Sequence, residues 1–237
     1  MSSADADAYA GAGSAPDAAA GPAAPDLTSL LAMIAAEEAA GTRSRTVPRA
    51  VSLTVLVDGP SGAGKSTLAD RLVEAWPGAE TPTLVRLDDI YPGWGGLAQA
   101  GRDVHDSLLL PRSRGLVGGW RRYDWAGGEL AEWHTVDAAA PLIVEGCGVL
   151  TRANAGLGDI RVWIDADDVV RKERALARDA GAFDPWWDIW QEQFDEFVRL
   201  DDPRSSADIV LDGTSALDGT SPGDGGSEAG HGSTVVL

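Results

Sequence analysis

The chain has 237 residues, with 37 acidic side chains against 19 Lys and Arg and a formal net charge of −18. An acidic chain without a basic stripe is not expected to bind nucleic acid, whose phosphate backbone needs Lys and Arg to neutralise it. The single cysteine, Cys147, excludes an internal disulfide and a cysteine-built zinc ribbon, and it fits a reducing compartment. No apolar stretch reaches membrane-spanning length and no basic-then-apolar leader opens the sequence, so the expected setting is cytoplasmic with no membrane partner.

In chain order, residues 1–46 read as a disordered acidic tail rich in Ala, Gly and Pro, with too little apolar content to offset the entropy of ordering. A short helix over 27–40, with Leu30, Leu31, Ile34 and Ala35 on one face, is expected to stay loose or marginal. Residues 214–237, rich in Gly, Ser and Asp, read as a second disordered tail. The stretch 47–213 is long enough to bury one good core.

That stretch opens with Val51 to Val57, an apolar β-branched run that reads as a buried strand. Gly59-Pro-Ser-Gly-Ala-Gly-Lys-Ser66 follows, and Leu68, Leu72 and Trp76 then recur at helical spacing. The octapeptide fits G-x-x-x-x-G-K-[ST], in the strand–loop–helix setting that a phosphate-binding P-loop requires. Glycines let backbone N–H groups converge on phosphate oxygens while the helix aims its positive end at them. Gly59, Ser61, Gly62, Ala63, Gly64, Lys65, Ser66 and Thr67 are therefore the expected nucleotide-binding residues. Lys65 is expected at the β- and γ-phosphates of ATP, with the Ser66 hydroxyl on Mg²⁺.

Four further short apolar runs, 83–87, 142–144, 160–164 and 207–211, predict with the first a roughly five-stranded parallel α/β sheet. Between the second and third strands, Trp120 to Trp125, a glycine turn and Glu129 to Val136 predict a β-hairpin, with Tyr123 and Trp125 on one face and Arg122 and Asp124 on the other. Residues 97–116 read as a helix interrupted or ended near Pro111. Residues 168–180 read as a helix carrying Arg171, Arg174 and Arg178, and 185–200 as a helix whose Trp186, Trp187 and Trp190 pack into the core.

Open α/β sheets bind ligands at the carboxyl ends of their strands, and acids follow two of those ends: Asp88 and Asp89 after the second strand, Glu145 after the third. Asp88 there can accept a proton from an attacking hydroxyl or hold Mg²⁺, and either acid can instead simply cap a turn. Glu145 reads as a Walker B acid or as a structural carboxylate. The three arginines form a lid over a transferring phosphoryl group or an exposed basic helix face. The hairpin rings stack on a substrate or pack on the sheet. Cys147, His105, His134 and His231 have no partner spacing and are assigned no chemistry.

Taken in order, Gly59 to Ser66, Leu87-Asp-Asp-Ile-Tyr91, Arg122-Tyr-Asp-Trp125, Val144-Glu-Gly146, Arg171 to Asp179 and Ala207-Asp-Ile-Val-Leu-Asp-Gly213 resemble the uridine kinase and phosphoribulokinase group of P-loop kinases. The pattern resembles especially that of the short bacterial uridine-kinase-like proteins. The resemblance implies a P-loop NTPase kinase-type three-layer fold with a substrate-side hairpin and a helical lid. It implies Asp88 and Lys65 as catalytic residues, Ser66, Asp88 and Glu145 around Mg²⁺, and Arg171, Arg174 and Arg178 at the nucleotide. Asp89, Tyr91, Arg122, Tyr123 and Trp125 would face a small-molecule acceptor. The implied activity is ATP- and Mg²⁺-dependent transfer of the γ-phosphoryl group to a hydroxyl, of a nucleoside first. The alternatives are a nucleoside monophosphate kinase, which Arg121 and Arg122 keep open, and a nucleotide-binding module that hydrolyses ATP slowly. Two family features differ: Trp125-Ala-Gly-Gly128 lacks the histidine that helps uridine kinases read the base, and Asp103-Val-His-Asp106 is a poor match to their ribose-binding Asp-His-Pro-Asp.

Overall fold

Alternation along the strands gives one sheet two apolar faces. In β1 (Thr54–Asp58), Val55 and Val57 belong to one buried cluster and Leu56 to the other, as the two-residue period of a strand requires. The computed structural model describes residues 25–43 and 51–214. The expected tails over 1–24 and 215–237, and the linking residues 44–50, lie outside the described residues.

Helix α1 (Leu27–Arg43) precedes β1. After β1 come α2 (Lys65–Glu74), β2 (Thr83–Arg86) and a 3₁₀ turn, Leu87–Asp89. Then α3 (Leu97–Asp103) runs through a π segment, Val104–Leu109, into α4 (Leu110–Ser113). Next are β3 (Gly118–Asp124), β4 (Glu129–Val136), β5 (Leu142–Glu145), α5 (Arg152–Ala155), β6 (Ile160–Asp165) and α6 (Asp168–Arg178). A 3₁₀ turn, Asp184–Trp186, leads to α7 (Trp187–Asp201), α8 (Pro203–Ser206) and β7 (Ile209–Asp212). The parallel sheet has the order β2-β5-β1-β6-β7, and β3 and β4 pair separately as an antiparallel hairpin. With β1 central and its successors on both sides, the crevice at the carboxyl end of β1 is the topological switch point.

One expectation about a helix is overturned and another holds. Helix α1 is docked: Leu30 and Ile34 are fully buried with Val55, Val57, Leu68 and Leu72, and Asp26 accepts the Ser29 N–H at its start. Propensity alone is too weak to hold so short an element, but burying two large aliphatic side chains contributes about 1.5–3 kcal/mol each. Ile34→Ala is therefore expected to cost about 2–5 kcal/mol of folding stability, read by urea denaturation, with nucleotide binding to the folded protein unchanged. The helix over 97–113 is interrupted and ended near Pro111 as expected, by a π segment just before it and a last turn that stops at Ser113. The Leu110 N–H reaches back to the His105 carbonyl, and this wider turn places Pro111 at the start of a renewed α-helical segment, where a missing N–H and a fixed φ are tolerated.

Candidate active site

The P-loop joins the buried end of β1 to the start of α2. Gly62 has φ +79°, and a Cβ there would run into the backbone carbonyl of Arg171 on α6, so this loop can turn under α6 only as glycine. Lys65 is buried, its Nζ donating to the carbonyls of Gly59 (2.8 Å) and Pro60 (3.0 Å) and lying 3.3 Å from Cys147 Sγ. Burial disfavours its charge, but Cys147, Glu145 and Asp58 outweigh that and hold its pKa above the ordinary value. The ammonium stays charged.

Asp58, fully buried at the end of β1, ties the loop to the segment after β5. Its Oδ1 accepts from Gly59 N (2.7 Å) and Gly148 N (3.2 Å), and its Oδ2 from Leu150 N (2.8 Å). Burial pushes its pKa up to about 6, against those N–H groups and the Lys65 charge.

Glu145 ends β5 in register with Val57 on one side and Arg86 on the other, which brings its carboxylate to the P-loop. Ser66 Oγ donates to Glu145 Oε1 at 2.9 Å, and Arg86 Nη1 lies 3.3 Å from the same oxygen. Burial and the charge of Asp88 raise the Glu145 pKa, opposed by Lys65, Ser66 and Arg86. Asp88 also acts electrostatically on Cys147 and Arg178. Lys65, Ser66, Asp88 and Glu145 thus share one electrostatic neighbourhood. The 3₁₀ turn Leu87–Asp89 has no side-chain cap. Among the described residues neither Asp88 nor Asp89 has a side-chain hydrogen bond or ion pair, so the turn-cap reading has no bond behind it. Burial, then Asp88, pushes the Asp89 pKa up.

On the far side of Asp88 stands the hairpin tip. Trp125 lies in its turn, just past β3 rather than in a strand, and its Nε1 donates to the Asp88 carbonyl at 2.8 Å. Its ring meets Tyr123 edge-on, with centroids 5.6 Å apart. Arg122 is paired with Glu132 at 2.7 Å.

Tyr91 does not face an acceptor: it is buried and its hydroxyl donates to the Cys147 carbonyl at 2.8 Å. A buried phenol needs such a partner, and this one takes its only proton. The three arginines also separate. Arg171 is buried, bonds Asp168 and Gln191, and lies over the Trp187 ring. Arg174 donates to the carbonyls of Gly213 and Thr214. Arg174 braces α6, while Arg171 keeps a buried Nη1 without a hydrogen-bond partner among the described residues. Arg178 is bonded to Asp179, and its pKa is raised by that bond and, against burial, by Asp88. Trp187 and Trp190 are core residues as expected, but Trp186 is 40% exposed because it lies in the 3₁₀ turn ahead of α7 and off that helix's buried face.

Cys147, His134 and Asp58 were missing from the sequence-level site. Cys147 reaches Lys65 because β5 runs beside β1. His134 reaches Asp89 electrostatically because β3, its hairpin partner strand, packs against the Leu87–Asp89 turn. The one available signal was Asp58, an acid at the end of an apolar strand and directly before the P-loop.

The sequence matches no family model and no curated protein. Solved structures do match. One described as a possible uridine kinase from Bacillus stearothermophilus is 16% identical, with a TM-score of 0.52 over 78% of this chain and 99% of that one. A D-glycerate 3-kinase from Cryptococcus neoformans is 17% identical, with a TM-score of 0.39 over 66% of this chain and 78% of the other. The first of these carries the comparison. With the strand order and the glycine loop, it shows that the chain has a three-layer α/β P-loop fold similar to that of the possible uridine kinase.

Proposed function

We propose that the chain is an ATP- and Mg²⁺-dependent kinase that transfers the γ-phosphoryl group to a hydroxyl of a small molecule, a nucleoside first. The observation that carries this reading is Asp88: a carboxylate with no partner among the described residues, at a strand end, within electrostatic reach of Glu145 and the Lys65 pocket. The residues fit the implied ligands. The glycine loop supplies converging N–H groups for phosphate, and Ser66 with Glu145 offers oxygen ligands of the kind Mg²⁺ takes. Bound Mg²⁺ supplies charge neutralisation at the phosphates. Lys65 stabilises charge on the β- and γ-phosphates as the bridging oxygen departs, Asp88 takes the proton of the attacking hydroxyl, and Arg178 adds positive charge beside it.

An acceptor that already carries a phosphate is disfavoured. Such an acceptor needs free cations, yet Arg122 is paired with Glu132, Arg121 donates to the Ala131 carbonyl, and Arg86 holds Asp70 and Glu145. Among the described residues, Asp88 and Asp89 have no side-chain hydrogen bond or ion pair there. The test is ATP consumption by the purified chain with Mg²⁺ across nucleosides, nucleoside monophosphates, sugar alcohols and vitamins, with products identified by mass. A nucleoside is expected to give ADP and a phosphorylated product. Transfer only to monophosphates sinks the hydroxyl-acceptor reading. ATP loss at one slow rate whatever is added leaves a hydrolysing module.

A further inference from the structure

A row of aromatic rings from three separate segments runs along the acceptor side, with Trp94 at its centre. Its ring centroid lies 4.9 Å from Trp125 at the hairpin tip, 5.0 Å from Phe183 (interplanar 12°) and 6.1 Å from Trp186 (interplanar 9°), the latter two in the connection from α6 to α7. These separations fall in the range of favourable ring pairs. Trp125 and Trp186 are each 40% exposed, so these ends of the row are held by ring contact more than by core burial. The Trp94 loop is itself clamped to α7: Gln193 Nε2 donates to the Trp94 carbonyl (2.8 Å), and Gln193 Oε1 accepts from Leu97 N (3.3 Å).

One end of the row touches the site and the other leads back to the P-loop. At one end, Trp125 Nε1 holds the Asp88 carbonyl. At the other, the Phe183 ring lies 5.4 Å from that of Trp187, the Arg171 guanidinium lies over the Trp187 ring, and the Arg171 carbonyl packs against Gly62 of the P-loop. The glycine loop and the acceptor side are thus joined through α6 and the rings. The contacts are contiguous, as coupling through packed side chains requires.

We propose that Trp94 is a positioning residue that couples the α6–α7 connection to the hairpin tip, so that nucleotide bound at the P-loop orders the acceptor side around Asp88. The proposal rests on the nucleotide-binding reading above. It makes the acceptor site a consequence of nucleotide binding, and the order of addition becomes nucleotide first.

Hydrogen exchange of the full chain, with and without a non-hydrolysable ATP analogue plus Mg²⁺, tests it without knowledge of the acceptor. In the wild type the analogue is expected to slow exchange of amides 61–66 and also of hairpin amides 122–128, the latter by about 5-fold or more, the low end of ordinary coupling between sites. In Trp94→Leu the loop is still protected while the hairpin response falls to within about 2-fold of none; Trp94→Phe, which keeps a ring, restores it. A loop that the analogue leaves unprotected in the wild type overturns the nucleotide reading and this proposal with it. A protected loop with a silent hairpin, or a hairpin response that persists in folded Trp94→Leu, overturns the coupling alone. If melting shows that Trp94→Leu does not fold, Trp125→Leu breaks the row at an exposed ring: loss of the hairpin response supports the coupling, and an unchanged response refutes it.

Discussion

Lys65→Ala is expected to abolish phosphoryl transfer, with kcat falling by about 10³-fold or more, while the chain stays folded. Lys65 is buried, its pKa is held above the ordinary value by the surrounding acids and thiol, and its donors meet two P-loop carbonyls. No other side chain places an ammonium there. Truncation leaves the buried carbonyls of Gly59 and Pro60 without that donor, a loss of about 1–3 kcal/mol for each, so a lower melting temperature is expected beside the loss of a charge aimed at the phosphates. Turnover at saturating ATP, with a melting curve alongside, checks this. Wild-type turnover in folded Lys65→Ala would mean that catalysis happens elsewhere in the chain.

The second large effect is expected at Asp88. Asp88→Asn is nearly isosteric and breaks no side-chain hydrogen bond or ion pair among the described residues, yet the amide cannot take a proton from a hydroxyl. A fall in kcat of about 10²-fold or more is expected, with ATP binding retained. Removing the Asp88 charge also removes a cause that raises the Glu145 pKa, so the Glu145 titration should move down in the variant, and carboxyl NMR against pH reads that shift. An inactive Asp89→Asn beside an active Asp88→Asn would move the role one residue along. Activity in both leaves the pair without a part in transfer.

The neighbourhood of these two residues was legible in the sequence because each belongs to a local motif. The P-loop is contiguous, and its glycines, lysine and serine act through a strand, turn and helix that follow from nearest-neighbour geometry. Asp88 and Glu145 were found because each ends an apolar run, and a parallel sheet brings the carboxyl ends of its strands to one edge. The hairpin was legible from its alternation and glycine turn.

Elsewhere a side chain's partner decides its role, and partners distant in sequence leave no local trace. The three arginines of α6 share a helix and nothing else: Arg171 meets Gln191, Arg174 the carbonyls after β7, and Arg178 the field of Asp88. Tyr91 lies two residues beyond the Asp pair, but the 3₁₀ turn sends it inward to the Cys147 carbonyl.

The sequence by itself determined the P-loop, the sheet and the acids at its edge, since these rest on contiguous motifs and on strand periodicity. Only the tertiary structure decided that α1 docks, that Cys147 lies against Lys65 and that Trp94 joins the hairpin to the α6–α7 connection. Those outcomes depend on which apolar and polar surfaces meet when segments distant in the chain pack together, and burial and ring contact are properties of the pair.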